Sequence, residues 1–136
     1  MIPPKVTSIA QLSFYKCTSL EKVTFPEKLQ RLGAKAFLGC SSLVKIELPP
    51  GFKVINESTF AECKSLETVV IPDGVQAIGN KVFRNCTALK TVKLPDSIMA
   101  IADDAFDGCT ALESMEIPAE IHYLHPSLEK FRKKAK

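Results

Sequence analysis

One spacing governs this 136-residue chain: chemically matched residues return every 23 positions from one end to the other. Prolines stand at Pro3, Pro26, Pro49, Pro72, Pro95 and Pro118, and phenylalanines at Phe14, Phe37, Phe60, Phe83 and Phe106. Cysteines keep step at Cys17, Cys40, Cys63, Cys86 and Cys109, and leucines at Leu20, Leu43, Leu66, Leu89 and Leu112. A fixed period of roughly 20 to 50 residues marks a solenoid, because one such unit cannot hide its own apolar face and must stack on its neighbours. Counted from each proline there are five full units, residues 3–25, 26–48, 49–71, 72–94 and 95–117, with no linker between them. The expectation is one domain over residues 1–136, its partial sixth repeat and C-terminal cap occupying 118–136.

Within each unit the apolar pattern changes period. Lys45, Ile46, Glu47 and Leu48 alternate as a half-buried strand does, Ile46 and Leu48 inward and Lys45 and Glu47 outward. The same phase holds at Val23/Phe25, Val69/Ile71, Val92/Leu94 and Met115/Ile117, so stacked copies form a parallel sheet. The proline that follows lacks an N–H and ends each strand at one level. A second apolar pair comes next, as at Leu29/Leu32 or Val75/Ile78, and then a small residue such as Gly33 or Gly79, expected to permit a left-handed turn. Ala36, Phe37 and Cys40 follow; Phe and Cys three apart share one face of a short 3₁₀ or α turn, opposite the sheet. Each large apolar side chain so buried contributes roughly 1.5–3 kcal/mol, so stacking is what stabilises the chain.

The pattern Leu43-x-x-Ile46-x-Leu48-Pro49, then Phe52-x-x-Ile55, then Phe60-x-x-Cys63 resembles the BspA-like leucine-rich repeats, also called the Treponema pallidum-type class. The resemblance runs from Pro3 to about Leu124. It implies an α/β repeat fold, a right-handed solenoid with a parallel sheet on the concave side and short helical turns opposite. It also implies a non-enzymatic protein-binding module of surface or secreted adhesion proteins in bacteria and protists, with no shared catalytic residues; an intracellular scaffold or architectural spacer is the alternative.

Composition narrows the function classes. The net charge is +3, but Lys130, Arg132, Lys133, Lys134 and Lys136 crowd the last seven positions. Removing those five from 18 basic residues leaves 13 against 15 acidic ones, so the repeats are weakly acidic and offer no groove for nucleic acid. The tail itself is expected to be a solvated, frayed end. No apolar run approaches the ~18 residues of a membrane span, so no membrane insertion is expected. The first residues match the middle of a repeat, and the expectation is a portion of a longer protein. Leu128 and Phe131, behind Pro126, read as a short helix laid over the last repeat. The N-terminal repeat has no such cover, so its end face should be apolar, and the chain is expected to be monomeric or to associate weakly end to end through it.

No catalytic or cofactor constellation is expected. The cysteines are 23 positions apart with no local pairs, which argues against zinc and for buried free thiols. His122 and His125 have no nucleophile and orienting carboxylate beside them. Asp103 and Asp104 are read as caps at a helix start, and the six glycines form no phosphate loop. Asn56 and Asn85 each sit in a glycosylation acceptor pattern, Asn85 poorly placed beside a core cysteine. What remains is the outward set of the sheet: Lys22, Thr24, Lys45, Glu47, Thr68, Val70, Thr91, Lys93, Ser114 and Glu116. It carries none of the aromatic anchors that binding hot spots favour, and Val70 is its most apolar point.

Overall fold

The alternation at Lys45 to Leu48 becomes a parallel ladder. In the structure, a computed structural model that describes residues 2–133, β3 (Lys45–Glu47), β5 (Thr68–Val70), β7 (Thr91–Lys93) and β9 (Ser114–Met115) form one four-stranded sheet. Its register advances by the repeat itself: Ile46 pairs with Val69, Val69 with Val92, and Val92 with Met115. All four are buried, while the residues on either side of them look out.

The second apolar pair, read from sequence as packing alone, is also a ladder. β4 (Val54–Ile55), β6 (Ala77–Ile78) and β8 (Ala100–Ile101) form a three-stranded parallel sheet, and β1 (Ser8–Ile9) pairs with β2 (Arg31–Leu32) in the same phase. Between β2 and β4 the strand pairing lapses, and the Asn56 side chain donates instead to the Leu32 carbonyl at 2.7 Å. In the neighbouring coils the backbone N–H of Gly33 or Gly79 makes that bond, to Ile9 and Ile55.

The third side of each coil is a stack of tight turns. N–H groups alternate there between two destinations. Those of Ala36, Leu38 and Cys40 close turns onto Gly33, Lys35 and Phe37, all at 3.2 Å, while those of Lys35, Phe37 and Gly39 cross to the Glu57, Thr59 and Ala61 carbonyls at 2.9–3.0 Å. The zigzag requires positive φ at two fixed points of the coil. Leu12, Lys35, Ser58 and Lys81 occupy the first, and Lys16, Glu62 and Asn85, with Gly39 and Gly108, the second. The non-glycine members sit at φ +53° to +64°, a region costing about 1–2 kcal/mol per residue, offset here by the inter-coil bonds. The expected turn thus exists as single turns shared between coils, with no continuous helix.

Inside the triangle the five repeat phenylalanines stack with ring centroids 5.0–5.8 Å apart and planes within 15° of parallel. Phe37, Phe60 and Phe83 are fully buried. At the C-terminal end Pro126–Phe131 is a 3₁₀ helix that buries Leu128 and half-buries Phe131. Past it Ile117 and Arg132 form a parallel bridge, with the Ile117 N–H on the Phe131 carbonyl at 2.9 Å and the Lys133 N–H on the Ile117 carbonyl at 2.7 Å.

Several expectations change. Lys22 to Thr24 form no strand: Val23 is only half-buried, and Val44 N–H to Glu21 O at 3.3 Å joins this stretch to the next coil instead. Gly33 and Gly79 do not have positive φ; their smallness is steric, since a Cβ on Gly33 would run into the Gln11 and Ala10 backbone and one on Gly79 would stand 3.0 Å from the Ile55 carbonyl oxygen. Asp104 caps no helix but accepts the Lys81 N–H of the coil before it at 3.1 Å. Asn85 donates to Glu62 at 2.7 Å, so both sequon amides already hold neighbouring coils together. The basic end is partly structural: Arg132 donates to the Ala119 and Ile121 carbonyls at 2.9 and 2.7 Å, and only Lys134 and Lys136 lie outside the described residues.

Candidate binding face

Strand alternation sends one residue of every pair out of the four-stranded sheet, and register lines these up into two columns. One runs Lys45, Thr68, Thr91, Ser114; the other runs Glu47, Val70, Lys93. Thr68 and Val70, at the middle, are half-buried, and the rest are exposed. Lys22 and Thr24 are exposed on the irregular stretch before β3, and Glu116 is exposed just beyond β9.

Eight of the ten residues gather at the two ends of the sheet, with Thr68 and Val70 between them. A shallow hollow of about 610 Å³ brings Lys22, Thr24, Lys45 and Glu47 together beside Phe25 and Pro50. A second, of about 500 Å³, brings Thr91, Lys93, Ser114 and Glu116 together beside Asp96 and Lys133. Lys45 Nζ stands 3.8 Å from Glu47 Oε2 with both side chains about two-thirds exposed. Such a pair contributes at most ~1 kcal/mol, so both charges are available to a partner. Glu116 forms a pair of the same exposed kind, Lys133 Nζ lying 3.6 Å from its carboxylate and 3.7 Å from Asp96. The face therefore offers hydroxyls, paired opposite charges and one central valine: chemistry for recognition by hydrogen bond and ion pair.

The titratable groups inside the coil are shielded from reactivity. Burial pushes the Cys40 thiol up to about 11 and the Cys63 and Cys109 thiols up to about 12, and Cys86 rises further for the same cause. All five cysteines are free. His125 caps the 3₁₀ helix, its Nδ1 accepting the Ser127 N–H at 3.2 Å and lying 2.7 Å from Ser127 Oγ, while His122 is exposed. Among the described residues no three His, Cys, Asp or Glu side chains converge as metal ligands, and no helix is long and apolar enough to cross a membrane.

A further exposed set escaped the sequence reading. Val54 and Met99 project from the coil side that carries β4, β6 and β8, and Tyr123 follows in phase with Ala100. The signal was present: Val54 and Ala100 are the outward partners of buried Ile55 and Ile101. The Tyr123 hydroxyl meets Asp103, a hydrogen bond that raises its pKa. At the opposite end a hollow of about 520 Å³ is bordered by Ile2, Val6, Phe14, Leu20 and Val23, the apolar end face.

Comparison with known proteins agrees with this geometry. The sequence profile described as the BspA type leucine rich repeat region matches six times, over residues 1–113 and 53–132. A leucine-rich repeat protein from Bacteroides ovatus superposes with a TM-score of 0.87 at 36% identity, over 96% of this chain and 34% of that one. The leucine rich repeat protein of T. pallidum gives 0.80 at 34% identity, over 87% and 60%. A leucine rich cell surface protein from Faecalibacterium prausnitzii gives 0.82 at 35% identity, over 85% and 30%. The chain thus spans between about a third and three-fifths of the lengths of these structures. No curated protein sequence matches it.

Proposed function

Since this chain belongs to the BspA type leucine rich repeat family, we propose that it is a protein-binding module of a cell-surface or secreted adhesion protein, its partner seated on the sheet of β3, β5, β7 and β9. Repeats of this family are generally protein-interaction modules and typically non-enzymatic. The observation that carries the reading is the pair of outward columns: the fold uses every inward residue of these strands for its core and leaves Lys45, Glu47, Thr68, Val70, Thr91 and Lys93 with no structural task beyond an exposed ion pair. The similar F. prausnitzii protein is a cell surface protein, which supports the location. The apolar N-terminal hollow supports weak end-to-end association as a secondary property.

The test replaces Lys45, Val70 and Lys93 together by Glu and compares capture by immobilised extracellular-matrix proteins, with the unfolding midpoint as a control for the fold. Loss of the captured partner at an unchanged midpoint is the expected result, and full retention of every partner overturns the sheet as the site. The five free thiols favour a second reading, an intracellular scaffold, because secreted proteins more often oxidise theirs. Capture from a cytosolic extract and not by matrix proteins would select that reading.

A further inference from the structure

The sixth coil is built only halfway. Pro118, Ile121 and Leu124 keep the phase of the coils before them and are buried, but the chain then leaves the ladder for the 3₁₀ helix at Pro126–Phe131. Elsewhere the second half of each coil supplies three acceptors to the coil before it, three carbonyls in the second to fourth coils and, in the fifth, two carbonyls and the Asp104 carboxylate. The N–H groups of Ser58, Phe60 and Glu62, for instance, reach the Asn80, Val82 and Arg84 carbonyls at 2.8–3.0 Å. The matching donors of the fifth coil, the N–H groups of Asp104, Phe106 and Gly108, have no acceptor among the described residues. All three residues line a cavity of about 570 Å³ whose far wall is Leu128 and Phe131. The phenylalanine stack ends there too. Phe106 lies 5.3 Å from Phe83 on one side and, among the described residues, meets no further ring on the other.

We propose that this cleft is a docking site for a short turn segment of a partner protein, one carrying a large apolar side chain next to a lysine or arginine. Three features choose that occupant. The N–H groups stand on alternate residues, as the carbonyls of a repeat turn do, and they border the cleft, so a segment returning carbonyls at that spacing is held in register. An aromatic side chain then completes the stack beyond Phe106. Asp103, Asp104 and Asp107 border the same cavity, whereas its one cation, Lys130, is held 5.2 Å over the Phe131 ring, so the rim attracts a basic residue. Size excludes a whole further coil: residues 118–124 already fill that level, and the volume suits a ligand of a few residues. A second copy of this chain offers, among the described residues, a full row of free turn carbonyls on its first coil, a whole coil at a level that residues 118–124 already occupy.

The experiment titrates the full chain, isotopically labelled, with a blocked synthetic peptide Gly-Ala-Lys-Ala-Phe-Leu-Gly, the sequence of residues 33–39. In the array that segment's own carbonyls, at Ala34, Ala36 and Leu38, accept the N–H groups of Leu12, Phe14 and Lys16 at 2.8–3.3 Å. Saturable shifts of the Asp104, Phe106 and Gly108 amides are expected, with their hydrogen exchange slowed at least ~10-fold. Replacing the peptide's Phe by Ala, or Asp107→Lys in the chain, should each weaken binding at least ~10-fold, as expected for loss of an anchor or a paired charge. Failure to saturate at millimolar peptide, equal binding of the peptide without Phe, or shifts centred on the sheet or on the N-terminal hollow would each overturn the proposal. So would protection of the same amides by self-association in the absence of peptide.

Discussion

Cys86 donates its thiol hydrogen to the carbonyl oxygen of Phe60, 26 residues earlier, across 3.2 Å. The bond recurs along the core: Cys40 to Phe14 at 3.1 Å, Cys63 to Phe37 at 3.3 Å and Cys109 to Phe83 at 3.0 Å. Three of these carbonyls also accept an N–H from within their own coil, Phe14 from Cys17 at 3.1 Å and Phe37 and Phe83 from Cys40 and Cys86 at 3.2 Å. There the thiol takes the second lone pair, and in all four bonds the repeat cysteine joins consecutive coils as well as filling space.

Because the fold holds these thiols neutral, stability should fall in alkali. A thiol whose folded pKa is raised contributes stability that is complete below its ordinary value of 9.0 and is lost as pH climbs toward the folded value, about 11 for Cys40 and about 12 for Cys63. In that window each buried thiol costs about 1.4 kcal/mol per pH unit. Urea midpoints measured under reducing conditions from pH 8 to 11 should show this decline. Cys63→Ala should flatten the slope by one thiol's share, and an unchanged slope would contradict the assignment.

Phe60 is stacked on both faces, 5.6 Å from Phe37 and 5.8 Å from Phe83, and has no exposed surface. Phe14 is half-buried and stacked on one side only, 5.0 Å from Phe37. Phe60→Ala should therefore cost about 3–5 kcal/mol, and Phe14→Ala distinctly less, since coils in a solenoid answer only to their neighbours. Denaturant midpoints of the two variants decide it, and equal losses would contradict a nearest-neighbour stack.

What the residues announced and what they hid divide by mechanism. Inward Ile46, Val69 and Val92 were legible because a strand's period of two shows in side-chain chemistry. The ladder at Val54 and Ile55 was not, because two residues with one facing inward carry too little pattern to distinguish a strand from a packed loop. Positive φ at Lys35, Ser58 and Glu62 was equally silent: the inter-coil N–H bonds impose it, and nothing in these side chains requires it. The candidate face was legible residue by residue, yet its division into two end hollows depends on Lys133 reaching Glu116 and on the irregular course of Lys22 to Thr24, which only the folded chain decides. The C-terminal cleft depends on unpaired backbone donors, which no side chain reports.

Asn56 supplies the link where the second ladder lapses, and its removal should be felt locally. Asn56→Ala deletes the 2.7 Å bond to the Leu32 carbonyl and should cost about 0.5–1.5 kcal/mol. Hydrogen exchange should quicken for the amides joining the second and third coils, such as Lys35 to Glu57, ahead of those in β5 and β7. A uniform acceleration across the chain would show that the bond is not the link between those coils.

Arg132 fastens the end of the chain in two directions. Its Nη1 donates to the Ala119 and Ile121 carbonyls at 2.9 and 2.7 Å, and its Nε and Nη2 donate to the Glu129 carboxylate at 2.8 and 3.0 Å. The hydrogen bond from Arg132 holds the Glu129 carboxyl below the usual carboxylate range. A carboxyl shifted down contributes above its ordinary value and stops contributing as pH falls through the lowered one. The clamp should thus be complete at neutral pH and loosen in acid. Arg132→Ala should reduce protection of the Ile117 and Lys133 amides, which pair with Phe131 and Ile117, at least ~10-fold, while β5 and β7 keep theirs because each coil leans only on its neighbours. Glu129→Gln should lower protection modestly and abolish its dependence on acid pH. If the Lys133 amide loses protection equally in acid with Gln at that position, the Arg132 to Glu129 pair is not what the proton breaks.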